Sequence, residues 1–205
     1  QAFTWRPVGP FNDFTLNFEG LDTRERGSGE LVKRYLRPGL YTTGASNFEG
    51  WLELYPRVES RTAAGAPLLV EHYAVSGMVL SPGRWWPLLN TDITWGRLAD
   101  TAANRVREGV RWNVSGKLRP LRPLEVEPSL SLAWLRNDDG EGLAYREAAP
   151  QLLAVWHFDA TNSLRAIAQR GSLERRAETG VPAAHFRSHT ESLTYAWRRS
   201  TGTVL

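Results

Sequence analysis

Cysteine is absent from this chain and methionine occurs once. No disulfide or thiolate metal site is therefore available. That absence fits a protein assembled in an oxidising cell envelope, and equally many soluble proteins. Mean hydropathy is low, at −0.40, and no window approaches the ~18 uninterrupted apolar residues of a membrane-spanning helix. A helical span is excluded. A membrane barrel is not, because the polar inner face of each strand halves its apolar content. No cationic, apolar, small-residue signal peptide opens the sequence. It begins at Gln1, as a processed form or an internal piece of something longer would.

Lysine is also scarce, occurring only at Lys33 and Lys117 among 25 basic residues, so the basic set is almost wholly arginine. The formal charge is only +3, with both signs interspersed. Nucleic-acid binding calls for a clustered basic face with little acid nearby. Residues 34–37 and 170–176 instead mix their arginines with glutamate or apolar residues. No nucleic-acid partner is expected.

What the chain does have is alternation. Leu124, Val126, Pro128, Leu130, Leu132 and Trp134 fall on one face, against Glu125, Glu127, Ser129, Ser131 and Ala133 on the other. A period of two means a β-strand with one apolar and one polar face. Its length, about 11 residues, is what a tilted strand needs to cross a bilayer. Its apolar face ends in tryptophan, which prefers the membrane–water boundary. The same signature recurs in residues 110–118, 14–20, 192–197 and, less cleanly, 152–158. Arg111 and Lys117 on the second face would be costly in a sandwich core, but not on a face that meets water. Alternation alone also fits an antiparallel sheet with one wet face. Strand length, terminal aromatics and the nine tryptophans favour the barrel.

Turn signals arrive every 10–20 residues or so, the rhythm of an up-and-down meander. They fall near residues 26–29, 44–47, 63–67, 81–84, 100–104, 137–142, 161–162, 179–184 and 200–203. Residues 119–123 contain two prolines and are expected to form a tight turn, since proline cannot donate to a central ladder. The expected fold is all-β: an antiparallel up-and-down transmembrane β-barrel, or a partial barrel of about ten strands. Residues 1–205 form one domain, and Val204-Leu205 opens a further strand.

Three segments carry a family resemblance. Residues 160–169, Ala-Thr-Asn-Ser-Leu-Arg-Ala-Ile-Ala-Gln, are similar to a "tpnLSLRlyaQ" pattern. Ser192-Leu193-Thr194-Tyr195 through Gly202-Thr203-Val204-Leu205 is similar to "lLSYrwnPGTVlY", and residues 62–69 to a "TrGGPLl" loop. Ala64 and Ala66 stand where that loop has glycines, and residues 198–201 replace an Asn-Pro turn. Together these segments resemble the C-terminal outer-membrane β-barrel of a large bacterial family of unknown function. Its members often carry an N-terminal sandwich similar to family-nine carbohydrate-binding modules. The resemblance implies an outer-membrane location, a barrel continuing past Leu205, and no established catalytic activity.

No motif of nucleophilic, phosphate-binding or metalloprotease chemistry occurs. His185 and His189 lie four apart, which suits a metal only on a helix. In an extended chain they stand about 13 Å apart and cannot share an ion. Residues 137–141 offer oxygen ligands around a glycine, without the spacing of a calcium loop; a solvated acidic turn is expected. Asp92, Glu125 and Glu127 lack the pocket that an acid–base pair requires, and Asn113-Val114-Ser115 matches a glycosylation sequon inside an expected strand. Neither metal nor cofactor is expected.

The lumen is assigned to Arg111, Asn113, Lys117, Glu125, Glu127, Arg165 and Gln169. The interfacial aromatic girdles are assigned to Trp85, Trp86, Trp95, Trp112, Trp134, Trp156, Tyr195 and Trp197. The role implied is a porin-like channel, or an anchor and conduit for a partner, without catalysis. Partners are the lipid bilayer and either other subunits or the rest of the same chain. A soluble β-sheet carbohydrate-binding module with tryptophan platforms is the alternative.

Overall fold

The computed structural model describes residues 2–6, 9–178 and 180–197. They form one antiparallel sheet of 11 strands, ordered along the sheet as along the chain. The strands are β1 (Ala2–Trp5), β2 (Phe11–Arg24), β3 (Leu31–Gly44), β4 (Phe48–Ser60), β5 (Leu69–Leu80), β6 (Leu88–Asp100), β7 (Arg105–Leu121), β8 (Leu124–Arg136), β9 (Leu143–His157), β10 (Asn162–Arg175) and β11 (Ala184–Trp197). The expected all-β, up-and-down architecture is present, as an open sheet rather than a closed barrel. The outer edges of β1 and β11 have no strand partner among the described residues.

Two local expectations need correction. Residues 119–123 are not the turn: β7 runs through Pro120 to Leu121, and only Arg122 and Pro123 connect it to β8. The ladder tolerates Pro120 because the β7–β8 register is irregular between Leu118 and Leu121. The strand expected at 152–158 begins at Leu143. The count of 11 agrees with the expected ten or so, and the strand not read from sequence is β1, whose four residues carry too short a pattern to detect. The expected strand at Val204-Leu205 lies outside the described residues.

Directly paired residues point to the same side of a sheet, so register assigns each side chain to a face. One face is concave. Arg175 on β10 and Asp100 on β6 both belong to it, and they meet at 2.9 Å although three strands separate them. Glycines help the sheet to curl. Gly96 takes φ of +137°, and a Cβ there would stand 2.7 Å from the Tyr73 Cα. At Gly77, the Trp51 indole fills the space that a side chain would need.

The other, convex face carries a continuous apolar band that runs obliquely to the ladder. The β8 band starts at Leu124. On β2 it starts at Phe14, whose row passes through Thr42, Gly50, Met78, Thr91 and Val114 to Leu130. The upper edge drifts the same way. It falls from Trp134 on β8 to Ala148 on β9, Ala168 on β10 and Leu193 on β11, which lie level with Leu132, Pro128 and Val126. The lower edge drifts by about one residue per strand, the stagger of strands inclined to a common axis, and the upper edge falls more steeply over β9–β11. At such a tilt the stretch from Leu124 to Trp134 spans roughly 25 Å.

Candidate functional site

Alternation sends every second residue of β2–β10 onto the concave face, and what collects there is polar. Arg111, Asn113, Lys117, Glu125, Glu127, Arg165 and Gln169 all lie on it. Lys117 bridges Glu125 and Glu127, the latter at 3.0 Å, and Arg119 reaches Glu125 at 3.0 Å. Ser131 donates to Asn113 Oδ1 at 2.8 Å, while Asn113 Nδ2 donates to Asp92 at 3.0 Å. The residues considered as an acid–base pair are therefore tied into separate networks. Arg165 and Gln169 have no side-chain partner among the described residues.

A second cluster, unforeseen from sequence, lies on β2–β5. Arg37 joins Glu19 and, at 2.7 Å, Glu53. Tyr35 donates to Glu19 at 2.8 Å, and both Tyr41 and Tyr55 donate to Glu53. The Tyr35, Tyr55 and Tyr73 rings follow one another across three strands, with centroids 5.7 and 4.5 Å apart. Each stands on a different strand, so no spacing in the chain marks them as a group. Their alignment was hidden as well, because a bulge in β4 between Tyr55 and Val58 resets the register.

The end of the concave face near the β6–β7 and β10–β11 connections is filled. Val58, Leu69, Leu98 and Leu135 are buried there around Asp100 and Arg107, whose side chains are each only 1% exposed. Arg107 contacts Asp100 at 3.3 Å, Asp138 at 3.4 Å and Glu178. Asp138 also meets Arg105 at 3.0 Å, while Asp139 and Glu141 stay exposed, so the acidic turn faces solvent as expected and is tied down through Asp138. Burying these charges is tolerable because each carboxylate finds a guanidinium.

The aromatics occupy the other side. Trp95, Trp112, Trp134, Trp156, Tyr195 and Trp197 are all on the convex face. Trp95 and Trp134 stand at the upper edge of the apolar band, Trp112 one row inside it, and Trp156, Tyr195 and Trp197 at the lower edge. Trp85 and Trp86 lie in the β5–β6 connection at that same lower end. Sequence reasoning passed over Trp5, which extends the convex set onto β1, and Trp51, which faces inward over Gly77.

His185 and His189 lie on extended β11. Among the described residues no group of three or more histidine or acidic side chains converges as a metal site, and no helix is long and apolar enough to cross a membrane. Neither a protein family, a curated protein nor a solved structure matches this chain. The two faces therefore carry the functional reading.

At the lower end, the β9–β10 turn is organised by Asp159. Its Oδ1 accepts from Thr161 N and Oγ1, both at 2.7 Å, and from Asn162 N at 2.8 Å. The Thr161 hydroxyl and amide, with help from Asn162, hold this exposed carboxyl down at about 2.

Proposed function

We propose that this chain forms the wall, or a large part of the wall, of a bacterial outer-membrane β-barrel. It serves as a channel, or as an anchor and conduit for a partner protein, and performs no catalysis of its own. The observation that carries this reading is the oblique apolar band. A soluble sheet has no reason to keep an exposed apolar stripe running across its whole width, its lower edge offset by about one residue per strand; a tilted barrel in a bilayer does. The exposed large side chains of the convex face, among them Phe18, Leu40, Leu52, Ile93, Leu152 and Leu193, would meet acyl chains. The family resemblance points the same way.

The concave face supports a narrow interior. Its charges are mostly cross-paired, and long arginines paired with carboxylates occupy space. A small conductance is expected. The open edges of β1 and β11 need pairing where no water is available. A further strand of the same polypeptide or another subunit would supply it.

The carbohydrate-module alternative calls for tryptophans gathered on one platform, whereas these are spread from β1 to β11. Fractionation tests the proposal. The protein should require detergent for extraction and migrate differently on a gel before and after heating. Recovery in the soluble fraction without detergent would overturn it, and large stable single-channel currents would overturn the narrow interior.

A further inference from the structure

We propose that the convex face of β9–β11, just above the apolar band, binds the phosphate groups of anionic lipid headgroups. The inference rests on the band being lipid-facing. Register places Arg170 opposite His189, Ser172 opposite Arg187, and Glu174 between Arg146 and His185. Arg146, Arg170, Ser172, Glu174, Arg187 and His189 surround a shallow groove of about 650 Å³ floored by Ala148, Pro150 and Gly171. The floor residues Ala148 and Pro150 already belong to the upper edge of the band on β9, and directly below lie Leu152 and, at the band's edge on β10, Ala168. Charge and acyl-facing surface are therefore contiguous on one side of the sheet.

The cluster leaves two guanidiniums unpaired, while His189 is held by Glu191 at 2.8 Å. Arg187 and His185 share Glu174, at 3.6 and 3.8 Å. Arg146 and Arg170 have no ion-pair partner among the described residues. At the corresponding edge of β2–β4 the strand arginines are paired: Arg24 with Asp22 at 3.0 Å, Arg34 with Asp22 and Glu59, and Arg57 with Glu59 at 2.7 Å. The guanidiniums of the β2–β4 edge are thus paired, whereas Arg146 and Arg170 on β9–β11 are not. A guanidinium binds phosphate bidentately, and arginines on adjacent strands lie close enough to engage one headgroup together. The occupant is assigned as lipid rather than free phosphate because the groove opens onto the band that would hold its acyl chains.

The test uses the full chain reconstituted in phosphatidylcholine vesicles containing a tenth phosphatidic acid, with spin-labelled versions of each lipid in turn. The readout is the association of each label with the protein surface. Wild type should prefer phosphatidic acid over phosphatidylcholine, by about fivefold for each arginine engaged. R146Q and R170Q break no ion pair, and each should lower that preference about fivefold. R34Q should leave it in place. An unchanged preference in both R146Q and R170Q overturns the proposal, as does no preference in wild type. Loss of the preference on adding inorganic phosphate at constant ionic strength reassigns the groove to a soluble anion. A protein that never enters the vesicles defeats the membrane reading and this inference together. One that enters without lipid preference defeats only the second.

Discussion

Leu130 offers the sharpest test of which face meets lipid. It sits near the middle of the β8 band, between Leu124 and Trp134, flanked by Val114 on β7 and Pro150 on β9. An arginine there would have to place its charge near mid-bilayer, at a cost of roughly 2–4 kcal/mol. The next residue, Ser131, points to the concave face and donates one hydrogen bond to Asn113 at 2.8 Å. Losing that bond costs about 0.5–1.5 kcal/mol, and a guanidinium at 131 gains Asp92, already held by Asn113, as a neighbour. L130R should therefore shift the folding equilibrium in phosphatidylcholine vesicles by roughly 30- to 900-fold, and S131R by no more than about tenfold. Denaturant titration followed by heat-modifiable gel migration measures both, with L130A and S131A subtracting the lost contacts. Equal shifts at the two positions would refute the assignment of faces.

Replacing Arg107 by methionine strips the buried Asp100 of one of its two guanidiniums and leaves Glu178 with only Arg105 nearby, at 3.6 Å. The expected loss is about 3–5 kcal/mol by denaturant unfolding; a neutral result would mean that the upper cluster is not formed. G96A imposes a side chain at φ of +137° against the Tyr73 backbone, and should cost about 1–3 kcal/mol in the same measurement. Asp159 titrates at about 2 rather than near its ordinary 3.8. A carboxyl depressed in the folded state stabilises fully above its ordinary value and ceases to do so as pH falls through the folded one. The β9–β10 turn should thus loosen between about pH 4 and pH 2, and an NMR titration of the Asp159 carboxyl with a midpoint near 4 would contradict it.

How much was legible depended on where a strand lies relative to the band. Residues 124–134 and 110–118 could be read directly because apolar–polar alternation survives wherever one face is apolar and the other wet. The first half of β9, with Arg146, Glu147 and Pro150, and of β11, with His185, Arg187 and His189, shows no such alternation. There neither face is uniformly apolar, so a real strand leaves no periodic trace. The β4 bulge hid Glu59 in a similar way. One extra residue turns Val58 inward and Glu59 toward Arg34, reversing the parity that the preceding alternation implied.

Alternation within each strand, and hence which side chains share a face, was determined by the sequence itself, because a period of two is a property of the extended backbone and needs no neighbour. The assignment of Arg111, Asn113, Lys117, Glu125, Glu127, Arg165 and Gln169 to one side followed from that alone. Only the tertiary structure decided how the strands stand against one another. Register aligns Tyr35, Tyr55 and Tyr73, offsets the apolar stretches into one oblique band, and gathers Arg146, Arg170 and Arg187 from three strands. Curvature brings Arg175 onto Asp100, 75 positions earlier in the chain. These relations depend on hydrogen bonding between strands and on the bend of the whole sheet, which no local pattern encodes.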